Sequence, residues 1–290
     1  MRCRLIKRLW ARIVAAIKKV EKGHIVEYNM RIVAKGFMQQ AGWDFYKTAA
    51  PTVRTATIHA MLAQAMSEGW RIRQIDVKAA FLNGKLREEM YVEPPAGRSN
   101  NPEEVWKLDK ALYGLKQAAE AWNSTWCAAM RGFGFARGDS DPCLFIKGNV
   151  LMGLHVDDGL LVGPEKEVDA AVRQIANRFT IKDEGFRVTG KTSVFLGIEL
   201  MLIPQKGLLL KQEGYTRDLL PKYKMYDMSS SDVVMRERKQ EEEPIIQGNI
   251  PYASMVGALL YLATHTRPEI AFSVGVKIPQ ILVFSCWQGK

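Results

Sequence analysis

Apolar positions recur along this chain in two periods, and the alternation between them outlines an architecture. Ile58, Met61, Leu62, Ala65 and Met66 stand three and four residues apart, which predicts a helix from about Thr57 that stops near Gly69. The β-branched run 70–77 then predicts a strand. A second helical spacing, Leu115, Ala119, Trp122, Trp126 and Met130, ends near Gly132. Short apolar runs at 143–147, 150–156 and 160–162 follow, separated by Gly148-Asn149 and Asp157-Asp158-Gly159. Runs and turns of that length predict an antiparallel meander. Val168, Val172, Ile175 and Phe179 mark a third helix, and 192–202 and 207–211 read as two more strands. From Val77 to Leu202 the order is therefore strand, helix, strand, strand, helix, strand. That is the split β-α-β-β-α-β order of an α+β fold, an antiparallel sheet with both helices on one face.

The flanks are less regular. Leu5, Leu9, Ile13 and Ile17 fall four apart among cations, which predicts a basic amphipathic helix over 1–20. It reads as a docking helix, a membrane-surface or transit-like helix, or an accidental leader on a truncated chain. Residues 84–109, with Pro94-Pro95 and Ser99-Asn-Asn-Pro102, read as a looped excursion. A polar linker is expected over 229–250, and a last helical segment within 251–290.

Composition narrows the class. With 290 residues, 47% of them hydrophobic and 25% charged, the chain has enough apolar content to fold around a core. No uncharged apolar stretch is long enough for a membrane span. Cys3, Cys127, Cys143 and Cys286 lie far apart with no C-x-x-C spacing, so an intracellular, reducing compartment (cytoplasm or nucleus) is expected rather than secretion. The net charge is +10, yet residues 1–40 hold ten Lys or Arg against only Glu21 and Glu27. A polyanionic partner is the natural reading of a basic chain, although here most of the charge sits in one terminal segment.

The carboxylates carry the chemistry. Asp157 and Asp158 sit between apolar runs, where two adjacent anions are costly unless a cation compensates them. An Asp-Gly hairpin that binds nothing is the bland reading. Asp76 shifts the balance, because it ends the first strand of the same split unit, and that strand lies beside the third. Three carboxylates at one sheet edge are the equipment of a two-metal centre.

At this point a family resemblance emerges. Gln74-Ile-Asp-Val-Lys-Ala-Ala-Phe-Leu-Asn-Gly84, Leu112-Tyr-Gly-Leu-Lys-Gln-Ala118 and Val156-Asp-Asp158 resemble the reverse transcriptase of copia-type LTR retrotransposons. Supporting blocks are Arg31-Ile-Val-Ala-Lys-Gly-Phe37, Ala50-Pro-Thr-Val-Arg54, Phe195-Leu-Gly-Ile-Glu199 and the Thr-Arg-Pro-Glu near Tyr261. The similarity runs from about Glu21 to Val276, in the family's order.

The resemblance implies a right-hand polymerase with a split palm, partial fingers and partial thumb over 21–228, and a helical connection over 251–290 toward an RNase H domain. It implies that Asp76, Asp157 and Asp158 hold two Mg²⁺, with Mn²⁺ as a substitute, and that Phe81 lies under the incoming sugar. A core phenylalanine is the equal alternative for Phe81. Tyr113, Gly114, Lys116 and Gln117 would lie along nucleotide and template. Arg31 and Lys35 would be cations near the triphosphate, with a solvated strand cation as the alternative for Lys35. Lys182 would assist the leaving pyrophosphate. The implied activity is RNA-directed DNA polymerisation on an RNA or DNA template-primer with dNTPs. The alternative is an inactive relic that at most binds nucleic acid. Departures include His155 where the family has tyrosine, and Glu120 in place of arginine in the segment after Gln117. They suggest a degenerate copy. Oligomeric state is left open.

Overall fold

A computed structural model describes residues 8–19, 25–99, 101, 103–183, 185, 192–203, 205–223 and 251–275. The chain divides into two compact units, 1–186 and 187–290. The division falls inside the 21–228 segment read from the sequence.

The first unit holds two sheets. Strands β1 (Arg8–Lys19) and β2 (Ile25–Ala34) form a long antiparallel hairpin, with Ile13 opposite Ile32. Arg8–Lys19 is thus a strand, which corrects the helix expected over 1–20. Ile13, Val14 and Ile17 fit a four-residue period but are also β-branched, and pairing with β2 selects the extended form. Helix α1 (Thr55–Ser67) buries Ile58, Met61, Leu62 and Ala65, and Gly69 (φ 64°) ends its last turn. Its N-terminus is capped from a distance. The buried Asp141 carboxylate accepts the Arg54 N–H at 2.9 Å and the Thr57 hydroxyl at 2.6 Å.

After α1 come β3 (Arg71–Val77), β4 (Lys85–Glu93) and β5 (Trp106–Lys110). The last two replace the excursion expected over 84–109. β4 alternates exposed and buried positions, and it buries Met90 and Val92 against a small core with Leu9, Leu115 and Ala121. The four-stranded sheet runs β2-β1-β4-β5, with β1 and β4 parallel.

The second sheet carries the split unit. Helix α2 (Ala118–Gly132) leads to β6 (Ala136–Arg137), β7 (Leu144–Lys147), β8 (Val150–His155) and β9 (Asp158–Gly163). Helix α3 (Glu165–Ala176) and β10 (Ile181–Asp183) complete it, and the strand order is β10-β3-β9-β8-β7-β6. The strand that closes the unit is therefore β10, not the run at 192–202. Three residues with two of them exposed make β10 invisible to hydrophobic pattern.

α2 and α3 share one core with the sheet: Trp122, Trp126 and Met130 meet Val168, Val172 and Ile175 over Ile75, Val77, Leu154 and Leu161. Trp122 and Trp126 each pack on Phe179 at 5.3 and 5.4 Å between centroids. Such rings contribute packing beyond their buried area. Beside this core, α1 sets Ile58 and Met61 against Gly153 of β8.

The second unit contains β11 (Ser193–Phe195), β12 (Ile198–Ile203) and β13 (Gly207–Lys211) in one antiparallel sheet, with α4 (Glu213–Lys222) and α5 (Tyr252–His265). The run expected as one strand over 192–202 is split by a Leu196-Gly197 turn, both at positive φ. The linker expected over 229–250 lies outside the described residues. Among the described residues, no helix is long and apolar enough to cross a membrane.

Candidate functional site

The register of the six-stranded sheet assembles a row of charged and titratable groups. Lys182 of β10 pairs with Asp76 of β3, Asp76 with Asp158 of β9, and Asp158 with His155 of β8. Directly paired residues share a sheet face. Their neighbours Ile75 and Leu154 lie in the α2–α3 core, so the row occupies the opposite face.

The hairpin that carries the second and third carboxylates turns at Val156 and Asp157, one residue earlier than the Asp-Asp-Gly turn expected. Val156 takes φ 59°, a region that a β-branched residue rarely occupies. Strain of this sort costs on the order of 1–3 kcal/mol and survives only where the surroundings overdetermine the backbone. Two hydrogen bonds do so here. The buried Trp122 indole N–H donates to the Val156 carbonyl at 2.6 Å, and the Val77 N–H donates to the Asp157 carbonyl at 2.8 Å. The second bond joins the hairpin tip to the strand end just after Asp76.

As the side chains stand, no three His, Cys, Asp or Glu among the described residues are gathered closely enough to hold a metal ion, so the three carboxylates share the sheet edge without converging on one point. Two carboxylates directly opposed across a strand pair repel one another, and Lys78 meets Asp76 at 2.6 Å on the same edge. Asp157 stands exposed at the tip. The His155 imidazole is pushed below its ordinary range by burial, against the opposite pull of Asp157.

An aromatic and cationic group stands beside these carboxylates. Phe81 packs edge-on against Tyr113 at 5.3 Å, and the Arg31 guanidinium lies 5.3 Å from the Tyr113 ring centre. Burial pushes the Tyr113 phenol up; Arg31 lowers it, while Asp157 and Asp76 push it further up. Those influences place Tyr113 within electrostatic reach of both aspartates. Phe81 also packs on both cores of the unit, so its core role stands alongside any role at the site.

The rest of the 112–118 segment is built into the fold. Gly114 (φ 87°) lies where a Cβ would come within 2.2 Å of the Ala34 carbonyl oxygen. The close approach that needs this glycine is thus to β2, sealed by the Ala34 N–H donating to Tyr113 at 2.8 Å. Gln117, expected along nucleotide and template, is buried instead: its Oε1 accepts from Gln39 at 2.9 Å and its Nε2 donates to the Asp44 carbonyl at 3.1 Å. Lys116 is exposed, with its backbone N–H held by Gln39 at 2.8 Å. Lys35 sets its ammonium 4.3 Å over the Trp10 ring. Phe195 and Glu199 belong to the second unit.

Sequence reasoning passed over three contributors. Trp122 registered only as one tooth of a helical period, because nothing local shows that its N–H reaches a turn 34 residues away. Lys78 stood inside the quoted Asp-Val-Lys block, and its spacing of two residues from Asp76, just past the strand end, was the available signal. Gln39 offered none.

Comparison with known proteins gives a consistent result. The model of the reverse transcriptase (RNA-dependent DNA polymerase) family matches residues 4–237. That range takes in β1, so the basic N-terminal segment lies inside the match, not ahead of it. The chain is 33% identical to the retrovirus-related Pol polyprotein from transposon TNT 1-94 of Nicotiana tabacum, over 91% of this chain and 21% of that protein. It is 34% identical to the corresponding polyprotein from transposon RE1 of Arabidopsis thaliana, over 87% of this chain and 17% of the relative. The putative transposon Ty5-1 protein of Saccharomyces cerevisiae is 28% identical, over 70% of this chain and 67% of that one. This chain thus spans about a fifth of the length of the first two polyproteins. With the family model matching most of its length, the chain belongs to the reverse transcriptase family, in the branch represented by retrotransposon Pol polyproteins.

Proposed function

We propose that this chain is a copia-type retrotransposon reverse transcriptase that extends a primer 3′-hydroxyl with deoxynucleotides on an RNA or DNA template. In this reading β3, α2, β8, β9, α3 and β10 are the palm, β1, β2, β4 and β5 belong to the fingers, 195–199 is the primer-grip region, and 208–228 is part of the thumb. One observation carries the proposal: Asp76 stands directly opposite Asp158, with Asp157 at the adjoining hairpin tip.

The donor set suits a hard cation. Carboxylate oxygens at an open strand edge are what Mg²⁺ takes while keeping positions for water and phosphate, and a cation there relieves the repulsion between opposed carboxylates. Asp76 and Asp157, supported by Asp158, would hold two Mg²⁺ (or Mn²⁺), which would supply activation of the attacking hydroxyl and stabilisation of the leaving group. Lys78 must then release Asp76.

The remaining roles belong to side chains. Phe81, packed edge-on against Tyr113, would exclude a ribose 2′-hydroxyl, and Tyr113 would lie along the nucleotide. Arg31 would offer positive charge to the triphosphate, and Lys182, opposite Asp76, would deliver a proton to the leaving pyrophosphate. The chain works in a reducing compartment, inside the cell.

The test is incorporation on a poly(rA)/oligo(dT) primer-template with Mg²⁺. Wild type should extend the primer, and Asp157→Asn should fall to background while melting like wild type. Equal extension by that variant would refute the metal assignment.

A second reading is a silent relic that binds nucleic acid without extending it. The Asp76–Lys78 ion pair favours it, since the fold neutralises that carboxylate internally. Glu120, a departure from the family's pattern, is compensated by Ser124 at 3.0 Å and Arg87 at 3.7 Å. Salt-sensitive binding without incorporation would select the relic.

A further inference from the structure

Three residues hold Lys182 in the sheet. β10 covers only Ile181–Asp183, an edge strand with Ile181 half-buried and the other two exposed. Its pairing with β3 sets Lys182 opposite Asp76, yet so short a strand has little pairing of its own with which to keep that register.

The fixing element lies on the other face. Asp183 pairs with Ile75, so it shares the α3 side of the sheet with Arg73, two residues earlier on β3. The Arg73 guanidinium is half-buried and forks between two acids. Its Nε donates to both Asp183 oxygens, at 2.9 and 3.1 Å, and its Nη2 also pairs with Asp183. Its Nη1 donates to Asp169 of α3 at 2.6 Å. Asp183 additionally accepts the Gly185 N–H at 3.0 Å. One planar group thus rivets β3, β10 and α3 together, a geometry that a point-charge ammonium cannot reproduce.

We infer that Arg73 is a positioning residue: its fork to Asp183 and Asp169 locks β10 in register and so fixes Lys182 opposite Asp76 on the reacting face. Arg73 touches neither nucleotide nor template, because it lies on the α3 face, and its influence passes through the β10 backbone. Arg71, which pairs with Glu165 at 3.3 Å, ties β3 to the start of α3 and acts on Asp183 only through its charge, as the weakest of the influences on that carboxyl. This inference rests on the polymerase reading for the role of Lys182, while the clasp itself can be measured without it.

Two measurements on the full chain test it. Amide exchange should show residues 181–183 losing protection in Arg73→Gln and in Asp183→Asn, while β8 and β9 keep theirs. In steady-state primer extension, Arg73→Gln should lower kcat by about 10- to 100-fold, the scale of a misplaced group near a reaction, with KM for the deoxynucleotide unchanged. Arg73→Lys should fall between Arg73→Gln and wild type.

The decisive arm is a double-mutant cycle, because a residue acting through Lys182 loses its effect once Lys182 is gone. In a Lys182→Ala background, Arg73→Gln should change kcat no further. Unchanged protection of β10, or an undiminished kcat effect in that background, overturns the inference. Asp183→Asn keeps the test usable if the Arg73 variant does not fold. If the wild-type chain incorporates nothing, the polymerase reading fails instead, and exchange at 181–183 still decides whether the clasp exists.

Discussion

The two sheets of the first unit treat their side chains in opposite ways. The six-stranded sheet is buried deeply: from Gly159 to Gly163 β9 has no accessible residue, and Trp122 and Trp126 are 2% and 0% exposed beneath it. The four-stranded sheet buries Leu9 at 1% but leaves Trp10 52%, Met30 65% and Tyr28 72% exposed. The strained Val156, the opposed carboxylates and the Arg73 fork all belong to the first. Backbone strain and like charges persist where dense packing leaves no cheaper arrangement. The open sheet has no such grip, and it contributes exposed cations such as Arg31, whose guanidinium lies against the Tyr113 ring.

The sharpest challenge to that contrast is at the seam. Gly114→Ala should destabilise the first unit by more than about 3 kcal/mol in chemical denaturation, since a Cβ there meets the β2 backbone in an unfavourable φ region. A mild effect would mean that the two sheets are not held as tightly as the contact implies. Next is Trp122→Phe, which keeps an aromatic ring in the core but removes the donor to Val156. It should cost about 1–3 kcal/mol and lower primer extension further than the stability loss explains. If activity simply tracks stability, the indole is packing alone.

Acid should act on the buried sheet first. Burial raises the Asp141 carboxyl, but hydrogen bonds from the Arg54 N–H, the Thr57 hydroxyl and the Cys143 N–H outweigh it and hold the group below its ordinary range. Asp183 is lowered chiefly by Arg73. Both are depressed in the fold, so their stabilisation is complete above the unfolded carboxylate range, about pH 4, and is lost as pH falls through the lower folded values. Near-UV circular dichroism between about pH 5 and 2 should report loosening around the tryptophans in that direction. The smallest effect belongs to the open sheet: Tyr28→Ser should change stability by no more than about 0.5 kcal/mol. A larger loss would show that its exposed aromatic is held by something beyond solvent.

The Cys143 thiol gives a chemical check on the buried side. Burial pushes it up to about 11, and its Sγ bonds the Pro51 carbonyl at 3.1 Å. It should resist alkylation at neutral pH until the chain unfolds.

Much of this was legible in residue order. Helices α1, α2 and α3 follow their apolar spacing to within a few residues, and β13 matches the run 207–211. What escaped were elements whose signal is shared or weak. β1 carries an apolar set that fits either period, β4 and β5 hide among turn residues, and β10 is too short and too polar to show any period. At the site, Asp76, Asp157 and Asp158 were recognisable as residues, whereas Gln117, read as lying along nucleotide and template, is buried in the fold.

Residue order by itself determined the inventory: three helices around a run of short strands, the carboxylates at strand ends, and the motif blocks that mark the family. Those are local properties, written in periodicity and in residue types that chemistry requires at given steps. Only the tertiary structure decided which strands adjoin and in what register, that Lys182 faces Asp76, and that Trp122 and Arg73 hold the edge from behind. Such pairings join residues up to 110 positions apart, and their strength comes from burial, which no stretch of sequence carries until the chain has closed around it.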